Sequence, residues 1–168
     1  MVDPDDGAAL ESRPPLLEDL LKICRALNER GARYVVVGGM AVIHAGFVRA
    51  TEDIDLLVDS SPDNFEKIRE ALSVLPDQAV REVQPTDLDR YVVVRVADEV
   101  VVDLMKSACG VEYAEAAGSV EWATLHGVEV PFASPGLLLK LKRTVREKDA
   151  LDRRFLEALL ARRTDPKA

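Results

Sequence analysis

Two aspartates one residue apart, Asp53 and Asp55, lie in the run Glu52-Asp53-Ile54-Asp55-Leu56-Leu57-Val58, and a glycine pair, Gly38-Gly39, precedes them by one short helix. Strand side chains alternate faces, so Asp53, Asp55 and Leu57 share one face, and Ile54, Leu56 and Val58 the other. At a strand rise of roughly 3.3 Å per residue, the two aspartate Cα atoms stand about 7 Å apart. Carboxylates at that separation can converge on one divalent ion, or on two ions about 4 Å apart. A third acid, Asp103, sits alone in the apolar run Val100-Val101-Val102-Asp103-Leu104-Met105. A carboxylate there is costly unless it is paired, hydrogen-bonded or bound to metal. Crowded acids repel one another and disfavour their ionised forms. A divalent cation removes that penalty, and Mg²⁺ takes oxygen ligands while keeping positions for water and substrate phosphates.

The glycine pair carries its own chemistry. Glycine lets the backbone approach a ligand closely and adopt positive φ. The helix that follows aims its first N–H groups at an anion. A triphosphate held there would lie beside a metal held by Asp53 and Asp55. Alone, Asp-x-Asp is an ordinary strand-edge pair and Gly-Gly an ordinary strand-to-helix turn; the joint spacing with Asp103 is what favours a metal-and-phosphate site.

The elements that must position these residues read as follows. Leu16, Leu17, Leu20, Leu21, Cys24 and Leu27 recur at helical spacing over 15–30, and Gly31 ends that helix. Tyr34 to Val37 is a buried strand, and Met40, Ile43, His44 and Phe47 form one face of the next helix, with His44 as a packing residue. Asp53 to Val58 is the second strand. Ser61-Pro62 opens a helix with Phe65, Ile68, Leu72 and Leu75 inward. A weaker strand is expected over 79–83, then a hairpin of strands 91–96 and 100–105 about Asp98-Glu99. A short helix over 112–118 and strands 120–125 and 128–130 follow, with His126 in the turn. Ser134-Pro135 opens a long helical region. Its apolar stripes are Leu137, Leu138, Leu141 and Val145, then Leu151, Phe155, Leu156, Leu159 and Leu160, with a break near 146–148. The order predicts an α/β (α+β) domain, a mixed sheet flanked by helices with a helical C-terminal segment. The division is a flexible N-terminus (1–14), a core (15–133), and a C-terminal helical segment packed on that core (134–163).

With 48% hydrophobic residues the chain must fold rather than stay disordered. A formal charge of −8 argues against a generic nucleic-acid coat. Residues 136–168 are nonetheless net basic, which suits either an anion-binding wall or a solvated helix face. Cys24 and Cys109 lie in no metal-binding spacing and are expected in the core, as is Trp122. The acidic start has no apolar signal core and no run approaches a membrane span, so a soluble, cytoplasmic protein is expected.

Together these residues resemble the nucleotidyltransferase superfamily with the polymerase-β-type fold. The resemblance is carried by Gly38-Gly39, Asp53-x-Asp55 and Asp103. Arg49-x-Thr51-x-Asp53-Ile54-Asp55-Leu56 is similar to the small prokaryotic branch that includes abortive-infection-type toxins of toxin–antitoxin pairs. The later Ala133-Ser134-Pro135 to Lys142 stretch and Arg146-x-Lys148-Asp149-x-x-Asp152 look like the same branch. The resemblance implies an enzyme that moves a nucleoside monophosphate from an NTP donor to a hydroxyl of an acceptor: RNA, protein or small molecule. Asp53, Asp55 and Asp103 would be catalytic and would bind two Mg²⁺ ions, Mn²⁺ being the substitute. Gly38 and Gly39 would hold the triphosphate. Arg49 and Thr51 would steady phosphates or fix the loop, Arg49 by an ion pair with an aspartate. Lys140, Lys142 and Lys148 would reach phosphates, only one or two of them facing the cleft. Asp149 and Asp152 would make helix ion pairs. An antitoxin or a second copy is the implied partner. The rival reading is a non-catalytic nucleotide-binding or protein-interaction module on the same fold.

Overall fold

The computed structural model describes residues 11–165. The elements run α1 (Leu17–Glu29), β1 (Tyr34–Val37), α2 (Gly38–His44), β2 (Asp53–Val58), α3 (Pro62–Leu72), α4 (Asp87–Arg90), β3 (Val94–Ala97) and β4 (Val101–Met105). They continue β5 (Ser107–Ala108), β6 (Val111–Glu112), α5 (Tyr113–Ala116), β7 (Val120–Leu125), β8 (Val128–Ala133), α6 (Pro135–Leu141) and α7 (Glu147–Thr164). Six strands form one mixed sheet in the order β3-β4-β2-β1-β8-β7. β1 runs antiparallel to β2 and parallel to β8, β2 runs parallel to β4, and β3–β4 and β7–β8 are antiparallel hairpins. β5 and β6 make a separate two-stranded ribbon. α1 packs on α3 and across β8, whereas α2 packs on β1, β2 and α6, and α6 carries α7.

The central strands are apolar on both faces because helices cover them: Val36, Ile54, Leu56, Leu57, Val102 and Leu104 are all fully buried. Leu57, placed on the aspartate face by alternation, is therefore core, and the carboxylate opening is confined to the first half of β2. The serine caps form as expected: Ser61 Oγ accepts from Asn64 N (3.3 Å) and Ser134 Oγ from Leu137 N (3.2 Å), each with proline at the first helical position. Buried Asn64 ties the base of α3 to the sheet, accepting from Arg33 N and donating to the Arg33 and Asp59 carbonyls.

Several expectations give way to tertiary contacts. Residues 79–82 form a 3₁₀ turn rather than a strand. Buried Asp98, from the β3–β4 turn, accepts from Asp77 N and Ala79 N at 3.0 Å each and from Glu99 N at 2.8 Å, fixing the chain in a turn instead of a ladder. The strand expected from Tyr91 begins only at Val94; α4 ends at Arg90, residues 91–93 join neither element, and Val92 is exposed. Trp122 is not core: it is 64% exposed on the edge strand β7, where only one face meets protein. Cys24 is buried but Cys109 is exposed. Leu16 and Leu17 are exposed at the start of α1, so the buried stripe begins at Leu20. The expected break in the C-terminal helix lies at 142–146, a few residues early, and leaves Val145 fully in solvent. Residues 1–10 of the segment expected to be flexible lie outside the described residues. Ser12 and Arg13 are held, by a Ser12 Oγ bond to the Asp98 carbonyl and an Arg13–Asp19 ion pair. His44 packs as expected, its ring stacked on Phe132 with centroids 3.9 Å apart, and burial lowers its pKa.

Candidate active site

Strand register builds the site. Val37 pairs with Asp55 across β1–β2, Asp55 with Asp103 across β2–β4, and Asp103 with Arg95 across β4–β3. One row across four strands therefore ends in two carboxylates and a guanidinium, on strands spaced about 4.8 Å. Asp53, two residues along β2, joins them: oxygens of Asp53, Asp55 and Asp103 lie within 4.8 Å of one another.

The glycines make room for this cluster. Gly38 has φ +65°, and a Cβ there would come within 2.0 Å of Asp55 Oδ2. Only glycine lets the β1–α2 turn pass so close to that carboxylate. A Cβ on Gly39 would meet Thr51 Oγ1 at 2.5 Å and the Arg49 guanidinium at 3.1 Å. Thr51 Oγ1 in turn donates to the Asp53 carbonyl (3.2 Å), which fixes the entry to β2.

The electrostatics are unbalanced. Burial, then the charges of Asp53 and Asp103, push the Asp55 carboxyl up to about 7. Arg95 is the cation bonded to the cluster, bidentate to Asp103 at 2.9 Å for both bonds and 3.5 Å from Asp53. Sequence reading missed Arg95; the signal was an arginine in the strand that hairpins onto Asp103. Three oxygen-donor carboxylates, one of them desolvated and short of positive charge, suit a hard divalent cation. Among the described residues no other group of acids, histidines or cysteines meets the same condition.

The cluster opens into a cavity of about 690 Å³. Gly38, Gly39, Arg49, Thr51, Lys142 and Lys148 are on its wall, together with Arg95 and Arg146. Lys140 is not: it is exposed on α6 and turned away from the cavity, because Leu141 and Lys142 occupy the inward side. Cys109, expected in the core, also lines the cavity.

A second ionic cluster braces that wall. Lys142 Nζ is 3.2 Å from Asp149 Oδ1 and 3.0 Å from Asp152 Oδ2, and Arg49 Nη2 donates to Asp152 Oδ2 at 3.0 Å. Asp149 also receives Arg146 Nε at 2.8 Å and the Thr144 hydroxyl. Both aspartates have no exposed surface. Burial raises the Asp149 pKa, but the Thr144 bond and the Lys142 charge outweigh it, and the net shift is downward. Arg49 is thus ion-paired, one of its two expected roles; Asp149 and Asp152 make ion pairs too, but mainly with Lys142 and Arg49 from outside their helix rather than along it.

The comparisons with known proteins agree with this geometry. The family model for the nucleotidyl transferase AbiEii toxin of type IV toxin–antitoxin systems matches residues 19–119, from α1 through the three aspartates to the start of β7. The chain belongs to the AbiEii nucleotidyl transferase family. It is a nucleotidyltransferase, and the match takes in Gly38, Gly39, Arg49, Thr51, Asp53, Asp55 and Asp103. No curated protein matches the chain. Among solved structures it is similar to a putative nucleotidyltransferase from Thermotoga maritima, at 19% identity and TM-score 0.50, over 86% of this chain and 97% of that one. It is also similar to an antigenic nucleotidyltransferase-like protein from Paracoccidioides brasiliensis, at 18% identity and TM-score 0.52, over 88% and 78%. At such identities these likenesses speak for the fold. No helix among the described residues is long and apolar enough to cross a membrane.

Proposed function

We propose that this AbiEii-family nucleotidyltransferase binds an NTP with divalent metal in the 690 Å³ cavity and transfers its nucleoside monophosphate to a hydroxyl of an acceptor. The observation that carries the reading is the three-carboxylate cluster within 4.8 Å, set in that cavity beside the glycine turn. A volume of this size is in the range of small-molecule sites. Asp53 and Asp55 would hold metal, and Asp103 would complete one metal position. Bound Mg²⁺ would supply positive charge to the attacked α-phosphate and the leaving pyrophosphate.

The protein's own residues do the rest. The backbone at Gly38 and Gly39, bare of side chains, lets the triphosphate approach the Asp55 oxygens. Lys148 and Arg146, both exposed on the cavity wall, would meet the outgoing phosphate; Arg49 and Lys142, their charges matched by Asp152 and Asp149, hold that wall in place. Asp103, besides completing a metal position, would help activate the attacking hydroxyl by accepting its proton. The family's description as a toxin extends the reading to growth inhibition relieved by an antitoxin partner. The test is transfer of label from α-labelled NTPs, with Mg²⁺ or Mn²⁺, to RNA, protein and small-molecule fractions of a cell extract. Labelling of one fraction identifies the acceptor. Absence of NTP binding by calorimetry with metal present would return the chain to a non-catalytic role.

A further inference from the structure

Arg95 stands where metal and protein compete for the same oxygens. Its guanidinium spans both Asp103 oxygens at 2.9 Å and reaches Asp53 at 3.5 Å, so it touches two of the three acids. Asp103 is nearly buried, its side chain only 5% exposed, whereas that of Arg95 is 60% exposed. The carboxylate is thus enclosed, and the arginine is the partner with room to move. An ion coordinated by Asp103 needs an oxygen that Arg95 now holds, and a guanidinium in contact with that oxygen would be repelled by a divalent cation.

We propose that Arg95 is a resident counter-cation of the three-carboxylate site, which divalent metal must displace from Asp103 in order to bind. The proposal rests on the reading of Asp53, Asp55 and Asp103 as metal ligands. Without metal, Arg95 neutralises a carboxylate buried next to two others, which a lone apolar strand could not tolerate. With metal, the pair is redundant and its bonds oppose binding. The long, exposed side chain can leave Asp103 without disturbing the β3–β4 ladder, because its backbone pairing is independent of its head group. Site occupancy is thereby tied to metal concentration through one residue.

The experiment measures Mn²⁺ affinity directly, by the free-ion magnetic resonance signal and by calorimetry, on the full chain without nucleotide. Arg95→Gln is expected to bind Mn²⁺ on the order of tenfold more tightly than the wild type, the scale of one charge-assisted pair. Arg95→Lys, which keeps the charge but not the two-pronged bond, is expected in between. Arg163→Gln removes the same net charge from a surface pair with Glu121 and is expected to leave the affinity within twofold. Equal or weaker Mn²⁺ binding by both Arg95 variants would overturn the proposal, as would an Arg163→Gln gain matching that of Arg95→Gln. Absence of Mn²⁺ binding at millimolar concentration by the wild type and by both Arg95 variants would instead overturn the metal reading of the aspartates. Should Arg95→Gln fold only with Mn²⁺ present, the proposal is supported, since metal then replaces the missing cation.

Discussion

Two acidic clusters flank the same cavity, and they are built oppositely. Asp149 and Asp152 are completely buried, yet each meets cations: Lys142 touches both, Arg146 joins Asp149, and Arg49 joins Asp152. Of Asp53, Asp55 and Asp103, the first and last share Arg95, whose head is mostly in solvent, and among the described residues Asp55 is left without a bonded cation. The balanced cluster is a brace that joins the α6–α7 break to the loop before β2. The unbalanced cluster leaves negative charge uncompensated, which the proposed metal would meet. A carboxylate's burial alone does not tell these roles apart; its compensation does.

The comparison predicts unequal responses to the same substitution. Asp53→Asn combined with Asp55→Asn should reduce nucleotidyl transfer to background in the α-label assay while the protein stays folded, since no buried cation loses its partner. Surviving transfer would move the chemistry elsewhere. Asp152→Ala should act the other way, costing about 3–5 kcal/mol by leaving buried charge unpaired. Denaturant unfolding measures it, and a loss below about 1 kcal/mol would show that the brace is not a stabilising unit.

Gly38→Ala should cost roughly 1–3 kcal/mol, from a left-handed backbone and overpacking against Asp55. It should also weaken Mn²⁺ binding, because the new methyl group displaces a ligand oxygen. Gly39→Ala should disturb Thr51 instead and spare the metal more.

A smaller effect follows from Asp55. Its folded-state pKa of about 7 exceeds the ordinary 3.8, so between those values the folded protein binds more protons than the unfolded one. In chelator, this group's contribution to stability is therefore full below pH 4 and declines as pH rises to about 7. Melting temperatures of wild type and Asp55→Asn should diverge over that window, the variant lacking the decline; parallel curves would remove the charge imbalance. At the bottom of the scale, Lys140→Ala should change neither transfer nor stability by a measurable amount, whereas Lys148→Ala, on the cavity wall, should raise the KM for NTP.

Much of the site was legible because its residues are local. Asp53 and Asp55 share a strand, and Gly38-Gly39 ends the strand paired with it. Asp103 was legible for a different reason: a charge inside an apolar run needs explaining. Lys140 was misplaced because helical spacing does not say which side of α6 the loop at 142–146 will claim. Trp122 and Cys109 were misplaced because residue type predicts average burial, while an edge strand and a turn with φ +47° at Cys109 decide the particular case. The strand expected at 79–83 was lost to Asp98, a residue 19 positions beyond Ala79, whose carboxylate captures the backbone N–H groups.

The sequence by itself determined the α/β class, the two serine-capped helices, the shared face of Asp53 and Asp55, and the need for glycine beside them. These follow from side-chain periodicity and backbone sterics, which act over a few residues. Only the tertiary structure decided that Asp55, Asp103 and Arg95 form one row, that Lys142 and Arg49 are clamped by Asp149 and Asp152, and that Lys140 is left outside. Strand register and the pairing of buried charge depend on partners far apart in the chain, and no local pattern specifies which partner a charge will meet.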